Sequence, residues 1–153
     1  MILYRIAAEK YADDLSGEGA RIYGGRWNRP GSRMFYTSEH ESLAILEVLA
    51  HSPIYALPGN LMLCLFEVPD RVDYEQIDAN NLSPNWRDYP APSALQEIGE
   101  QWLAKREQLI LKVPSVLSST ENNWLINPRH SDFEKVNLKE KRPFSFDERL
   151  QSR

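Results

Sequence analysis

Leu61-Met62-Leu63-Cys64-Leu65-Phe66-Glu67-Val68 is apolar at every position but Glu67. Eight residues are too few to cross a membrane as a helix, which takes about 18. The length suits a central strand buried on both faces. Such a strand needs partners on its edges and cover on its two faces, so the rest of the chain must supply a sheet and the layers that close it.

Several segments read as those parts. Residues 1–6 read as a first strand, 7–15 as a short polar helix, and 16–31, rich in glycine and arginine, as a long loop. Residues 34–37 form a short strand. Ser38 with Glu41 spells a capping box, which opens a helix running to about His51, and Pro53 stops it. Residues 71–77 read as a further strand and 80–92, with Pro84, Pro90 and Pro92, as irregular chain. Ser93 with Gln96 is a second capping box, opening a helix to about Glu107. Residues 109–113 read as a strand, 114–128 as a loop and 144–146 as a last short strand. Strands and helices mixed without regular alternation indicate an α+β fold rather than a doubly wound one. The charged segment Lys139-Glu140-Lys141-Arg142-Pro143, with Asp147-Glu148-Arg149 beyond it, reads as a solvated end. The alternative is that it packs over the site or meets a partner.

The 153 residues are expected to form one domain, 1–153, with 42% hydrophobic and 26% charged side chains. A formal net charge of −4 argues against general binding to nucleic-acid backbone, though a few local arginines can still hold a small anion. One cysteine, Cys64, cannot make an internal disulfide and reads as core, a poor nucleophile. The first residues lack a signal-peptide pattern and no apolar run is long enough to span a membrane, so a cytoplasmic location is expected. His40, His51 and His130 have no metal-ligand spacing, so no metal is expected.

Two residues sit where their chemistry is out of place. Glu47 interrupts Leu43-Ala44-Ile45-Leu46-Glu47-Val48-Leu49-Ala50, and helical spacing sets it beside Leu43, Leu46 and Ala50. A carboxylate on an apolar face is paired, functional or at a helix edge that reaches water. Arg26 stands in Gly24-Gly25-Arg26-Trp27-Asn28. Paired glycines allow close backbone approach to a ligand, and an arginine fork suits a diphosphate or carboxylate. The same pattern also serves a tight turn with solvated arginines. Tyr36 ends a strand, as core packing or as a plate for a flat heterocycle. Ser115 and Asn127 flank a stretch rich in hydroxyls and amides, which suits either ribose binding or ordinary turns.

Taken in order, these segments resemble the RES domain, a family named for its arginine, glutamate and serine. Tyr4-Arg5-Ile6, Gly24-Gly25-Arg26-Trp27-Asn28, Tyr36-Thr37-Ser38 and the Glu47 helix carry the first half of the resemblance. Trp86, Ile98-Gly99-Glu100-Gln101-Trp102-Leu103, Val113-Pro114-Ser115 and Glu121-Asn122-Asn123-Trp124-Leu125-Ile126-Asn127-Pro128-Arg129-His130 carry the second. Ser131 departs from the proline that often follows this histidine. The resemblance implies an ADP-ribosyltransferase-like fold with a mixed, mainly antiparallel sheet. It also implies a bacterial toxin that consumes NAD as substrate and is neutralised by an Xre-type helix-turn-helix antitoxin. DNA would be met only through that antitoxin; no membrane contact is expected, and a homodimer is compatible.

By position, the family's arginine, glutamate and serine are Arg26, Glu47 and Ser115, and Tyr36 matches its tyrosine. The reaction so implied is cleavage between nicotinamide and ribose. Glu47 would stabilise the ribose cation, and Arg26 would grip the diphosphate. Tyr36 would pack on the nicotinamide or its ribose, with Ser115, Asn127, Trp27 and Asn28 completing the NAD site. The rival readings are an ADP-ribosyltransferase acting on a host protein and a non-catalytic module that binds the antitoxin.

Overall fold

The computed structural model describes residues 1–151. Among the described residues seven strands, β1 (Ile2–Ala8), β2 (Phe35–Ser38), β3 (Leu61–Glu67), β4 (Tyr74–Gln76), β5 (Ile110–Pro114), β6 (Asn122–Ile126) and β7 (Asn137–Pro143), join in one sheet. Their order is β4-β5-β6-β2-β1-β3-β7. Only β4 and β5 run parallel; the other neighbours are antiparallel. The apolar run forms β3 as expected, one place in from an edge, between β1 and β7.

Register assigns every side chain to a face. Tyr4 lies opposite Ser38, Ser38 opposite Asn123, and Asn123 opposite Val113, so these residues form one row across four strands. On that face Ile6, Leu61 and Leu63 pack under α2 (Glu41–His51), through Ala44. Leu111, Val113 and Leu125 pack under α3 (Ser93–Lys105), through Leu95 and Trp102. Both long helices therefore cover one side of the sheet. The other side holds Leu3, Phe35, Cys64, Phe66, Trp124 and Ile126 under connecting segments, with Ala12 and Val136. Phe35 meets Phe66 edge-on at 5.0 Å between centroids. Each buried side chain of this size contributes about 1.5–3 kcal/mol over exposure. Cys64 is fully buried there, and burial pushes its thiol above the ordinary value.

Several local readings give way to tertiary pairing. The strand expected to stop at Ile6 continues to Ala8, because Ala7 and Ala8 pair with Met62 and Leu61; only a single turn, Glu9–Tyr11, remains of the helix over 7–15. The expected loop 16–31 contains α1 (Glu18–Tyr23), a helix too short and glycine-bearing to show a period. The loop 114–128 contains β6, whose polar first residues look like a turn but bridge β2 and β5. The charged tail forms edge strand β7 beside β3, where charge discourages further pairing. Phe144 and Phe146 are not a strand; they pack near the α2 cluster, and α4 (Glu148–Gln151) follows. The strand over 71–77 shortens to Tyr74–Gln76, and α3 ends at Lys105.

Neither capping box forms. α2 and α3 follow His40 and Pro92, and neither helix has a side-chain cap. Glu47 is also less enclosed than its spacing implies. Leu46 and Ala50 are exposed, and the residues buried on α2 are Leu43 and Ala44. Glu47 lies half-buried on the flank of that stripe. Among the described residues, no helix is long and apolar enough to cross a membrane.

Candidate active site

A cleft of about 410 Å³ opens on the helix-covered face of the sheet, lined among others by Tyr36, Ser38, Glu47, His51 and Asn123. Its volume falls in the range of small-molecule sites. Tyr36 and Ser38 alternate with inward-facing neighbours on β2, so both present their side chains to this side. Glu47 comes from α2, and His51 follows one turn later on the same helix face. Asn123 Nδ2 donates to Glu47 Oε1 at 2.6 Å, and Ser38 Oγ donates to Asn123 Oδ1 at 2.7 Å. Ile6, Ala8, Val48, Leu57 and Leu61 make the remainder of the cleft largely apolar.

The arginine loop is built on α3. Gly24 ends α1 at φ 69°, a conformation open mainly to glycine. Gly25 N donates to Asn28 O at 3.0 Å, closing a tight turn. Gln96 Nε2 reaches from α3 to both carbonyls of that turn, Gly25 O and Asn28 O, each at 3.1 Å. Glu100 accepts from Arg29 N at 2.8 Å and from Ser32 Oγ at 2.7 Å. Gly99 makes the close seat possible: a Cβ there would fall 1.7 Å from the Trp27 carbonyl oxygen.

Within this loop Arg26 donates to Trp86 O at 2.9 Å and to Asp88 O at 3.2 Å from each of its terminal nitrogens. Those bonds use three of the five guanidinium N–H groups. Burial holds the guanidinium below its ordinary value, offset in part by the nearby charge of Glu47. The Tyr36 hydroxyl donates to Asn28 Oδ1 at 2.7 Å and accepts from Trp27 N at 3.2 Å. Burial pushes this phenol well above the ordinary tyrosine range, so it is a neutral clamp at physiological pH. Gly25 fits because a Cβ there would stand 2.6 Å from the Tyr36 oxygen.

The structure thus gathers Arg26, Tyr36 and Glu47, with Tyr36 and Glu47 lining the cleft and Arg26 outside that lining but electrostatically coupled to Glu47 and joined to Tyr36 through its own loop. Trp27 and Asn28 are buried behind them. Asn28 Nδ2 donates to the carbonyls of Ala20, Arg29 and Ser32, which commits that amide to the loop. Ser115 and Asn127 are buried and do not line the cleft. Ser115 Oγ accepts from Leu117 N and Ser118 N in a local turn. Asn127, beyond the far end of β6 from Asn123, accepts from Arg129 N and donates to Leu103 O. Ser38, Asn123 and Gln96 escaped the sequence reading. By local pattern Ser38 and Gln96 read as helix caps and Asn123 as loop; their long-range partners reveal them.

A model of the RES domain matches residues 2–147. The chain belongs to the RES domain family. Toxin Res of Yersinia enterocolitica is 40% identical to this RES domain over 153 residues, covering 98% of this chain and 99% of the relative. Prs ADP-ribosylating toxin of a Sphingobium strain is 39% identical over 141 residues, covering 91% and 88%. The toxin–antitoxin complex MbcT–MbcA of M. tuberculosis superposes with a TM-score of 0.75 at 20% identity, covering 94% of this chain and 84% of that one. At that identity the likeness is one of fold, and it agrees with the α+β, mainly antiparallel architecture expected. This RES domain is an enzymatic toxin of the kind its relatives represent.

Proposed function

We propose that this RES domain cleaves the bond between nicotinamide and ribose C1′ of NAD. The observation that carries the reading is a carboxylate, Glu47, fixed by Asn123 in a ligand-sized cleft with a glycine-flanked arginine electrically coupled to it. The nicotinamide ring of NAD is positively charged. When the C1′–N bond breaks, the bonding pair leaves with neutral nicotinamide and positive charge passes to the ribose. Glu47 stabilises that charge and holds the ribose hydroxyls. Arg26 uses its remaining N–H groups on the diphosphate, and its bonds to Trp86 O and Asp88 O keep the fork aimed. Tyr36 holds the arginine loop through Asn28 and Trp27, and its ring borders the cleft near the nicotinamide ribose. Ser115 and Asn127 act by shaping the ends of β5 and β6.

Water or phosphate then attacks C1′. Transfer to a protein is the second reading, and the name of the Sphingobium relative favours it. Purified protein with labelled NAD separates the two. Free nicotinamide and ADP-ribose without any added protein support degradation, a phosphorylated product in phosphate buffer alone supports phosphorolysis, and a labelled band in lysate supports transfer. Glu47→Gln is expected to fold and to lose most NAD turnover. Arg26→Ala is expected mainly to raise KM. Unchanged NAD loss in Glu47→Gln removes the assignment. The toxin–antitoxin likeness supports an antitoxin partner for this chain, of the Xre type by family resemblance, with any DNA contact made through it.

A further inference from the structure

The junction between β2 and α2 is tied residue by residue to the start of β6. Thr37 Oγ1 donates to Trp124 O at 2.6 Å, and Ser38 Oγ donates to Asn123 Oδ1 at 2.7 Å. Glu39 accepts from Asn122 N at 2.6 Å and from Trp124 Nε1 at 3.2 Å. His40 Nδ1 meets Glu121 Oε1 at 2.7 Å. Four consecutive residues thus place Asn123 against the helix that carries Glu47. The cleft carboxylate needs this help, since a half-exposed glutamate on a helix flank has three free torsions, and among the described residues the hydrogen bond that holds it comes from Asn123.

Asn123 supplies the constraint. Its Nδ2 donates to Glu47 Oε1 at 2.6 Å, and no hydrogen bond to Oε2 is made by the described residues. A carboxylate accepts only, so the amide must turn its nitrogen towards Glu47 and its oxygen away. That oxygen then needs a donor, which the hydroxyl of Ser38, a residue that is 4% exposed, provides. Register keeps the two together, because Ser38 and Asn123 are directly paired across β2 and β6. We propose that Ser38 and Asn123 form a relay that orients Glu47, holding Oε1 so that Oε2 alone faces the substrate ribose. Both are positioning residues, and the assignment rests on the NAD reading above. The serine joined to the carboxylate through Asn123 is Ser38, whereas Ser115 Oγ accepts from Leu117 N and Ser118 N of its own turn.

Steady-state NAD turnover of Asn123→Ala, Ser38→Ala and Ser38→Thr, alone and with Glu47→Gln, tests the relay. Misplacing a reacting group by about 1 Å costs about 10²-fold, so Asn123→Ala is expected to lose kcat on that order with KM for NAD little changed. Ser38→Ala loses less, and Ser38→Thr, which keeps a hydroxyl, retains most of the activity. In the Glu47→Gln background Asn123→Ala adds no further loss, because both changes remove one interaction. Full additivity there, or wild-type kcat in a folded Asn123→Ala, overturns the relay. A substrate-free measurement stands beside these: the side-chain amide protons of Asn123, followed by ¹⁵N NMR in the wild type and in Glu47→Ala. The relay predicts one proton shifted downfield by the carboxylate and restored in Glu47→Ala; an unmoved resonance overturns it. If wild-type protein leaves NAD intact, the NAD reading falls and the amide shift still decides the relay.

Discussion

The Tyr36 hydroxyl, presented from β2, satisfies Asn28 Oδ1 and the Trp27 N–H, two groups of the arginine loop. Tyr36→Phe strands both, and a buried polar group left without its partner costs about 1–3 kcal/mol. Denaturant unfolding should show a lowered midpoint at unchanged slope, and NAD KM should rise as the Arg26 loop loosens. The same hydroxyl sets an alkaline limit. Burial raises its pKa in the folded state, so its contribution is complete below the ordinary tyrosine value of about 10 and is lost as pH rises through the folded value. Wild-type protein should therefore lose stability above about pH 10 by an increment that Tyr36→Phe lacks; equal losses in the two proteins would contradict it. Legibility divides here along chemical lines. Glu47 and Arg26 stand out because a charge in an apolar stretch and an arginine among glycines break local patterns. Ser38 does not, since serine before a helix satisfies a local rule, and its partner lies 85 residues away.

Elements show the same division at larger scale. β3 and α2 were legible because their apolar patterns are continuous; α3 lies where Ser93 and Gln96 spell a capping box, although that box does not form and Leu95, Gly99 and Trp102 are what the helix buries. β6 was not, since Asn122 and Asn123 have turn chemistry and become a strand only by pairing on both sides. The link between α3 and the arginine loop was equally hidden, although Gly99 marks it. A glycine in the middle of a 13-residue helix costs about 1 kcal/mol relative to alanine, which is offset here by the close seat of Trp27. Gly99→Ala would usually favour a helix, but its Cβ would overlap the Trp27 carbonyl at 1.7 Å. The expected result is a helix of undiminished content, a lowered melting temperature equivalent to about 1–3 kcal/mol of overpacking, and a raised KM for NAD. An increase in melting temperature with unchanged KM would refute the seating of the loop on α3.

Across the whole molecule, the sheet sends its two long helices to one side, and charge pairs at the surface tie connecting segments in place. Glu18 bridges Arg21 and Arg33 at 2.5 and 2.6 Å, tying α1 to the chain just before β2. Arg33 also reaches Ser16 O, and Arg5 reaches Asp14 O from the face opposite the cleft. Arg29 pairs with Glu97 on α3 at 2.6 Å. Glu18, Glu97 and Asp14 are all held below their ordinary values, the first two chiefly by their arginines and Asp14 chiefly by hydrogen bonds from Ser16. A depressed carboxylate contributes stability above its unfolded pKa, about 4, and loses it as pH falls through the lower folded value. These pairs are largely exposed, so each is individually weak and open to screening. Denaturant unfolding should therefore give a level stability from about pH 5 to 8 and a decline below about pH 4. The difference between neutral and acid stability should shrink in about 1 M salt, where the Debye length falls to about 3 Å. An acid limb that ignores salt would place the pH dependence in buried groups instead and dissociate these surface pairs from the order of the arginine loop.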